Sequence, residues 1–455
     1  MIIGEHINVS PILLFIVFQL ITLFAIILFI DQIEIIVLLV FIFASFITLY
    51  NPKLILYILY SSIWVSQNIF IDIYGVIVRI TDLIIFFLTI SWLLRSTIDK
   101  HLIISKPNRN DYPLFLLMIL AVISFFTTQN KLITFLEIIQ ISELIFVYYL
   151  VKTFIKDGKD FYAFMLFTVV YGLIDSFWIS SQVVIGNLGL RKIALFEGTG
   201  DELAYSILFL YLFLLKEKIP YKKFGIFFIT VFIMFSMMFT LGRGLLIITC
   251  VMLLVSTFIF FVKRKQYLYL SLTSLFAIFT VLIMMSTISG KVIDRYSSIT
   301  QDDPTRNVRL YNWYSSLTII NKYPFTGVGL GNGTKSLKDN MPEWASSLAK
   351  KYGGNTPHNE LLHFGIETGL LGIVFAIIFY FFLFMNGLKL VSIEREKGEK
   401  IIDIAIFSAV CGLILWIFAN DVLLAGKGVF VMVILAFINK LSSSNKKLMP
   451  INYES

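Results

Sequence analysis

Fourteen apolar stretches run along this chain, and several of them, such as 11–30 and 267–287, are long enough to cross a membrane. Folded as helix at ~1.5 Å per residue, 20 residues cross the ~30 Å of hydrocarbon in a bilayer. Strands of a membrane barrel would instead show short segments of alternating polarity. In hydrocarbon every backbone N–H and C=O must be satisfied within the chain, which leaves helices as the solution here. Composition agrees. The chain is 58% hydrophobic and 15% charged, with a mean hydropathy of +0.87. A soluble surface of this size needs more charge than that. The expected class is an all-α polytopic membrane protein.

The spans are expected at 11–30, 35–50, 54–71, 80–94, 113–127, 134–151, 161–185, 203–215, 224–240, 244–262, 267–289, 367–388, 401–419 and 428–438. Several are short or share borders, so about 12–14 transmembrane helices are expected. The spans 54–71 and 80–94 are the weakest, because Arg79 and Asp82 fall between them. The run 11–30 is too long for the apolar core of a signal peptide and no small-x-small site follows it, so it is expected to be the first span.

One sizeable hydrophilic segment, 290–366, interrupts the apolar pattern. The expected organisation is then N-terminal transmembrane helices over 1–185 and core helices with arginine-bearing outer turns over 186–289. The loop 290–366 follows, then C-terminal transmembrane helices over 367–438 and a tail over 439–455, polar from residue 441.

Basic residues orient this arrangement. With the N-terminus inside, the cytoplasmic connections hold 22 of the 37 Lys and Arg, the short outer connections 6 and the long loop 9. The excess of Lys and Arg in these cytoplasmic connections puts both termini in the cytoplasm and the 290–366 loop outside. It also accounts for the net charge of +8 without nucleic acid. Cys250 and Cys411 lie in apolar runs and read as small core residues. No tandem repeat is visible, and no inverted pair of broken helices of the kind found in many secondary transporters.

Several residues could carry chemistry. Arg243, in Thr240-Leu241-Gly242-Arg243-Gly244, sits between two apolar runs, where an arginine facing lipid is costly. Flanking glycines allow a bend and a close approach. It reads either as a cation aimed at an anionic ligand or as an interfacial arginine reaching to head groups. In the loop, Asp303-Pro304 reads as an N-cap and first helical position, and Tyr323-Pro324 as the stop. Arg306, Arg309 and Trp313 share one face of that helix. Two guanidiniums one turn apart suit phosphate or pyrophosphate oxygens, and the tryptophan suits a sugar ring. The alternative is a solvated helix face.

The run from Gly327 to Gly333 has the glycines of a phosphate loop but not its Lys-Ser/Thr ending, and reads as a turn back to the membrane. In Thr356-Pro357-His358-Asn359-Glu360, Thr356 reads as the cap and Pro357 as the first helical residue, which puts His358 in the first turn. A neutral histidine there is a general base or a partner for a sugar hydroxyl, against a structural role. His363 and Glu367 have metal-site spacing but no third ligand, so no metal is expected. Gly365, Gly369 and Gly372 are expected to share a packing face.

The order of these elements is Arg243-Gly244, then Arg309-Leu-Tyr-Asn-Trp313, Tyr323-Pro324-Phe-Thr-Gly327, His358-Asn359-Glu-Leu-Leu and Glu367-Thr-Gly369-Leu-Leu-Gly372. Over about 190–390 it resembles the O-antigen polymerase and ligase family of bacterial envelope polysaccharide synthesis. The resemblance implies a C-type glycosyltransferase fold in the plasma membrane that works by inversion without metal or other cofactor. The implied donor is an undecaprenyl-pyrophosphate-linked glycan.

Arg243 and Arg309 would hold the pyrophosphate and His358 would act as base or orient the acceptor. Arg191, Arg306, Trp313 and Asn359 would contact substrate. A flippase and a chain-length regulator are implied as partners. The implied activity is polymerisation of repeat units into a capsule, exopolysaccharide or O-antigen. A ligase moving finished glycan to another acceptor is the nearest alternative. A flippase is the further one, with Glu143 and Asp175 within spans and Glu137 near a span end as its candidate ionisable groups.

Overall fold

The computed structural model describes residues 51–185, 200–263, 304–343 and 356–444, apart from a few short interruptions. The expected spans 11–30, 35–50 and 267–289, Arg191, and the tail from 445 lie outside the described residues, as do the side chains of Arg243 and Arg306.

The elements are α1 (Leu54–Val65), strands β1 (Phe70–Ile73) and β2 (Val76–Arg79), α2 (Ile80–Ile98), α3 (Tyr112–Thr127), α4 (Lys131–Phe154) and α5 (Lys159–Ile185). They continue with α6 (Asp201–Lys216), α7 (Pro220–Phe239), α8 (Arg243–Lys263), α9 (Pro304–Lys322), α10 (Gly333–Asp339), α11 (Glu360–Ser392), α12 (Lys397–Trp416) and α13 (Gly428–Ser444). Apart from 54–71, which is helical only to Val65, each expected span within the described residues lies largely on a helix, and seven helical segments are long and apolar enough to cross a membrane.

Two expectations need correction. The span 54–71 ends at Val65, and Phe70–Ile73 instead pairs antiparallel with Val76–Arg79, with Phe70 opposite Arg79. The Ile- and Val-rich sequence favours this hairpin, and Arg79 ends it. α13 runs past the expected span 428–438 and continues through Ser444. Its last turns are held by burial: Asn439 donates to the Tyr148 hydroxyl at 2.8 Å, and Leu441 is buried.

Burial explains the layering. From Asp201 to Leu210 every residue of α6 is buried, and so is every residue of α13 from Val429 to Ile438. These two helices are central. α7 lies outside them and shows Phe224, Phe228 and Phe235 on its exposed face, as a helix in contact with lipid does. Small and polar residues bring the helices together. A Cβ on Gly172 would meet the Ser206 hydroxyl, which donates to the Thr168 carbonyl at 2.8 Å. Ser256 bonds Ser408 at 2.8 Å between α8 and α12. In hydrocarbon such bonds and close approaches do the work that the hydrophobic effect does in water.

The bundle has two distinct ends. At one end lies a buried polar cluster in which Asp111 accepts from Lys152 at 2.8 Å and from the Tyr148 and Tyr149 hydroxyls. Arg395 and Lys400 flank Asp403 at the same end. The starts of α6, α8, α11 and α13 and the ends of α7 and α12 meet at the other end, together with α9 and α10. We call this the loop end.

Candidate active site

α9 has the bounds expected from its proline signals, Pro304–Lys322, and Tyr323 closes it by donating its N–H to Ile319 O at 2.9 Å. One face of α9 buries Asn312, Ser315, Ser316 and Ile319, while Leu310, Tyr314 and Leu317 are exposed. Arg309 is half-buried, and Trp313 lies at the border of exposure. Asn312 Nδ2 donates to the Thr356 carbonyl at 2.7 Å, and Trp313 Nε1 donates to the Pro357 carbonyl at 2.9 Å. Two successive side chains of α9 therefore hold two successive carbonyls just before His358. Arg309, one turn earlier on the same helix, is fixed relative to that histidine. The indole that was expected to meet a sugar uses its N–H within the protein and keeps part of its surface exposed.

His358 does not sit in a first helical turn. α11 begins at Glu360 with Asn359 as its cap, whose Oδ1 accepts the Leu362 N–H at 3.2 Å. His358 precedes the cap at φ 51°, in the left-handed region that few non-glycine residues adopt. Asn359 outcompetes Thr356 as cap because its side chain reaches the third N–H of the helix. The bonds from α9 to residues 356 and 357 hold the chain in that turn. His358 Nδ1 lies 3.3 Å from Thr356 Oγ1. If Nδ1 carries the proton and donates to the hydroxyl, Nε2 is an acceptor ready to take a proton; the other tautomer makes Nε2 a donor.

Glu360 connects this segment to the far side of the site. It is fully buried, and its carboxylate accepts the N–H groups of Val422 and Leu423, the latter at 2.9 Å. Its own N–H goes to Ile417 O at 2.8 Å. The preceding residue, Trp416, packs on Gly244: a Cβ there would stand 3.3 Å from the indole. Arg243 is the first residue of α8, so its backbone lies one residue from the Trp416 contact. These contacts bring the backbone of Arg243 and the whole of Arg309, His358 and Asn359 to the loop end.

The glycine run folds as a turn, as expected, and its anion-binding geometry is already occupied. Gly331 and Gly333 aim their N–H groups at Glu367 Oε1 at 3.0 and 3.3 Å. His363 Nε2 lies 3.4 Å from the same oxygen. The spacing that resembled a metal site is this local pair, and no group of three or more His, Cys, Asp or Glu suited to a metal occurs among the described residues. Nor do Gly365, Gly369 and Gly372 form one continuous helical face. Gly369 breaks α11 at φ 71°, and a Cβ on it would lie 2.6 Å from Pro324 O. The glycine is required because another chain segment occupies that space.

Of the ionisable groups considered for a transport path, Glu137 and Glu143 line a narrow cleft with Asp82 and Gln140, and Leu423 forms another part of its wall. Asp175 is on α5, buried against α6 and α7.

Fold and site together define a polytopic α-helical membrane protein whose one large loop is built into the mouth of its helical bundle. Residues 204–377 match the family model described as O-antigen ligase, a stretch that runs from α6 into α11 and includes Arg243, Arg309 and His358. That segment of the chain is similar to the O-antigen ligase family, whose members are glycosyl-transfer enzymes in general. No curated protein sequence matches the chain.

The sequence by itself gives no role to Asn312, Glu360 or Trp416, and gives Glu367 only a metal-like spacing from His363. A signal for Asn312 is its place on the helix of Arg309 and Trp313, three residues after the one and beside the other. The other three act through contacts with residues more than 30 positions away, and no local pattern marks those.

Proposed function

We propose that the chain is a polymerase that joins undecaprenyl-pyrophosphate-linked oligosaccharide repeat units at the outer face of a bacterial plasma membrane. The observation that carries this reading is the clamp from Asn312 and Trp313 onto Thr356 and Pro357, which couples Arg309 to His358. In this reading the loop end faces outward and both termini are cytoplasmic, in keeping with the distribution of Lys and Arg. The product is a capsule, exopolysaccharide or O-antigen chain.

The reaction is a single displacement. An acceptor sugar hydroxyl attacks the anomeric carbon of the donor glycan and the C–O bond to the pyrophosphate breaks. The undecaprenyl pyrophosphate leaves with the bonding pair, and the hydroxyl proton passes to His358 Nε2. One displacement inverts the anomeric centre. Negative charge grows on the leaving oxygens, and the guanidiniums of Arg243 and Arg309 stabilise it more in the transition state than in the ground state. Since these cations meet the developing charge, the reaction runs without a divalent metal. Arg191, Arg306, Trp313 and Asn359 contact the substrate in this reading. A flippase supplies the donor from the inner leaflet, and a chain-length regulator acts on the product.

Transfer of finished glycan to a different acceptor is the second reading, favoured by the ligase description of the matched family. Purified protein in lipid discs, given only the lipid-linked repeat unit, separates the two. A product ladder made by wild type and lost in Arg243→Ala supports the polymerase. Donor consumed only when a second acceptor is added supports the ligase. Donor that merely crosses the bilayer of a liposome would sink both.

A further inference from the structure

Trp416 ends α12 beneath the outer turn that leads to α13. Its carbonyl accepts the N–H groups of Ala419 and Asn420 at 3.0 and 2.9 Å, and the side chain is only 7% exposed. Its indole N–H has no hydrogen-bond partner among the described residues, so packing holds the ring in place. Gly244 packs against the ring, and the Lys427 ammonium stands 4.8 Å from the ring centroid. Lys427 in turn forms an ion pair with Asp201, in the first turn of α6, and both side chains are largely buried. The next residue, Ile417, receives the N–H of Glu360, two positions after His358.

Trp416 is thus the contact through which the Arg243 turn and the His358 segment are referred to one another. A buried Lys–Asp pair is an expensive way to hold an aromatic ring, because both charges lose their hydration, and simple apolar packing would join the helices as well. What the pair adds is direction: an ion pair and a cation–π contact fix the ring's place more narrowly than apolar contact does.

We propose that Trp416, braced by Lys427 and Asp201, is a positioning residue for Arg243. It sets the first turn of α8 against the start of α11, and so fixes the distance across which the pyrophosphate and the acceptor hydroxyl meet. The proposal rests on the role given to Arg243 above.

The test compares Lys427→Met and Lys427→Arg, each in the wild-type and the Arg243→Ala background, with full-length protein in lipid discs and an undecaprenyl-pyrophosphate-linked glycan as donor. Arginine can keep both the ion pair and the ring contact, and methionine keeps only bulk. Lys427→Met is expected to lower kcat by at least about fivefold, with little further loss when Arg243 is already alanine, and Lys427→Arg to restore most of the activity. An equal loss in both backgrounds, or no loss at all, overturns the proposal.

A second readout does not depend on activity. With Cys250 and Cys411, the free cysteines among the described residues, changed to alanine, maleimide labelling of Arg243→Cys reports where residue 243 sits. Lys427→Met should change the labelling rate by at least about threefold and Lys427→Arg should not. An unchanged rate overturns the positioning role. Full activity of Arg243→Ala, with an altered labelling rate, would instead remove the pyrophosphate reading and leave the positioning intact.

Discussion

Trp313 donates its indole N–H to the carbonyl of Pro357 at 2.9 Å, one residue before His358. Trp313→Phe removes this bond and keeps the ring. A hydrogen bond of this kind contributes about 0.5–1.5 kcal/mol net, so we expect transfer to slow by about two- to tenfold. The melting temperature should fall by no more than the few degrees that loss of one such bond allows. A fall in activity matched by an equal fall in stability would point to a general folding role for the bond.

Arg243→Ala and Arg309→Ala should each lower the rate by about 10²–10³, as loss of a donor to a developing anion does. His358→Ala should cost less, because pyrophosphate is a good leaving group and the hydroxyl can lose its proton to water. Turnover of a lipid-linked donor by the three purified variants decides this. An inactive His358→Ala beside two active arginine variants would refute the proposed mechanism.

Gly369→Ala places a methyl group where Pro324 O and Phe325 C already lie within 2.6 Å, at a positive φ. Strain of this kind costs on the order of 1–3 kcal/mol, and the clash adds to it. The expected result is a lower melting temperature together with lost activity, since the displaced segment carries α9. Gly225→Ala is the control: a Cβ at 225 meets nothing within 4 Å, and the variant should behave as wild type.

The ion pair of Lys152 with Asp111 lies at the end of the bundle away from the site, with side chains 4% and 0% exposed. Lys152→Met leaves a buried carboxylate uncompensated, which typically costs about 3–5 kcal/mol. Yield and melting temperature should fall sharply, while the KM for donor in the surviving folded protein should match wild type. A shifted KM would tie this cluster to the reaction.

Hydropathy alone locates the bundle, because twenty apolar residues in a row have few alternatives to a helix in a bilayer. The loop helix is equally legible, since Pro304 and Pro324 confine it from both sides. The start of α11 is not. Thr356-Pro357 and Asn359 both look like helix beginnings, and the choice is made by Asn312 and Trp313, more than 40 residues away. The glycine run is similar: its turns can be read from composition, but the carboxylate that fills it comes from Glu367 on another helix. Sequence also marks Arg243 and Arg309 as unusual cations but does not show how they are brought to one end of the bundle. That depends on Gly244, Trp416 and Glu360, whose contacts are made only after the helices have assembled.

At Gly369 the ladder of α11 opens, and its free groups are taken by the loop: Val328 N–H bonds Ile366 O at 2.9 Å, Gly329 N–H bonds Glu367 O at 2.9 Å, and Leu370 N–H bonds Pro324 O at 2.7 Å. The loop is therefore spliced into a membrane helix and is not draped over it. Two halves of the protein produced from separate genes, divided between residues 343 and 356, should find each other and work, because the seam that joins them is made of the helix's own hydrogen bonds and needs no covalent link.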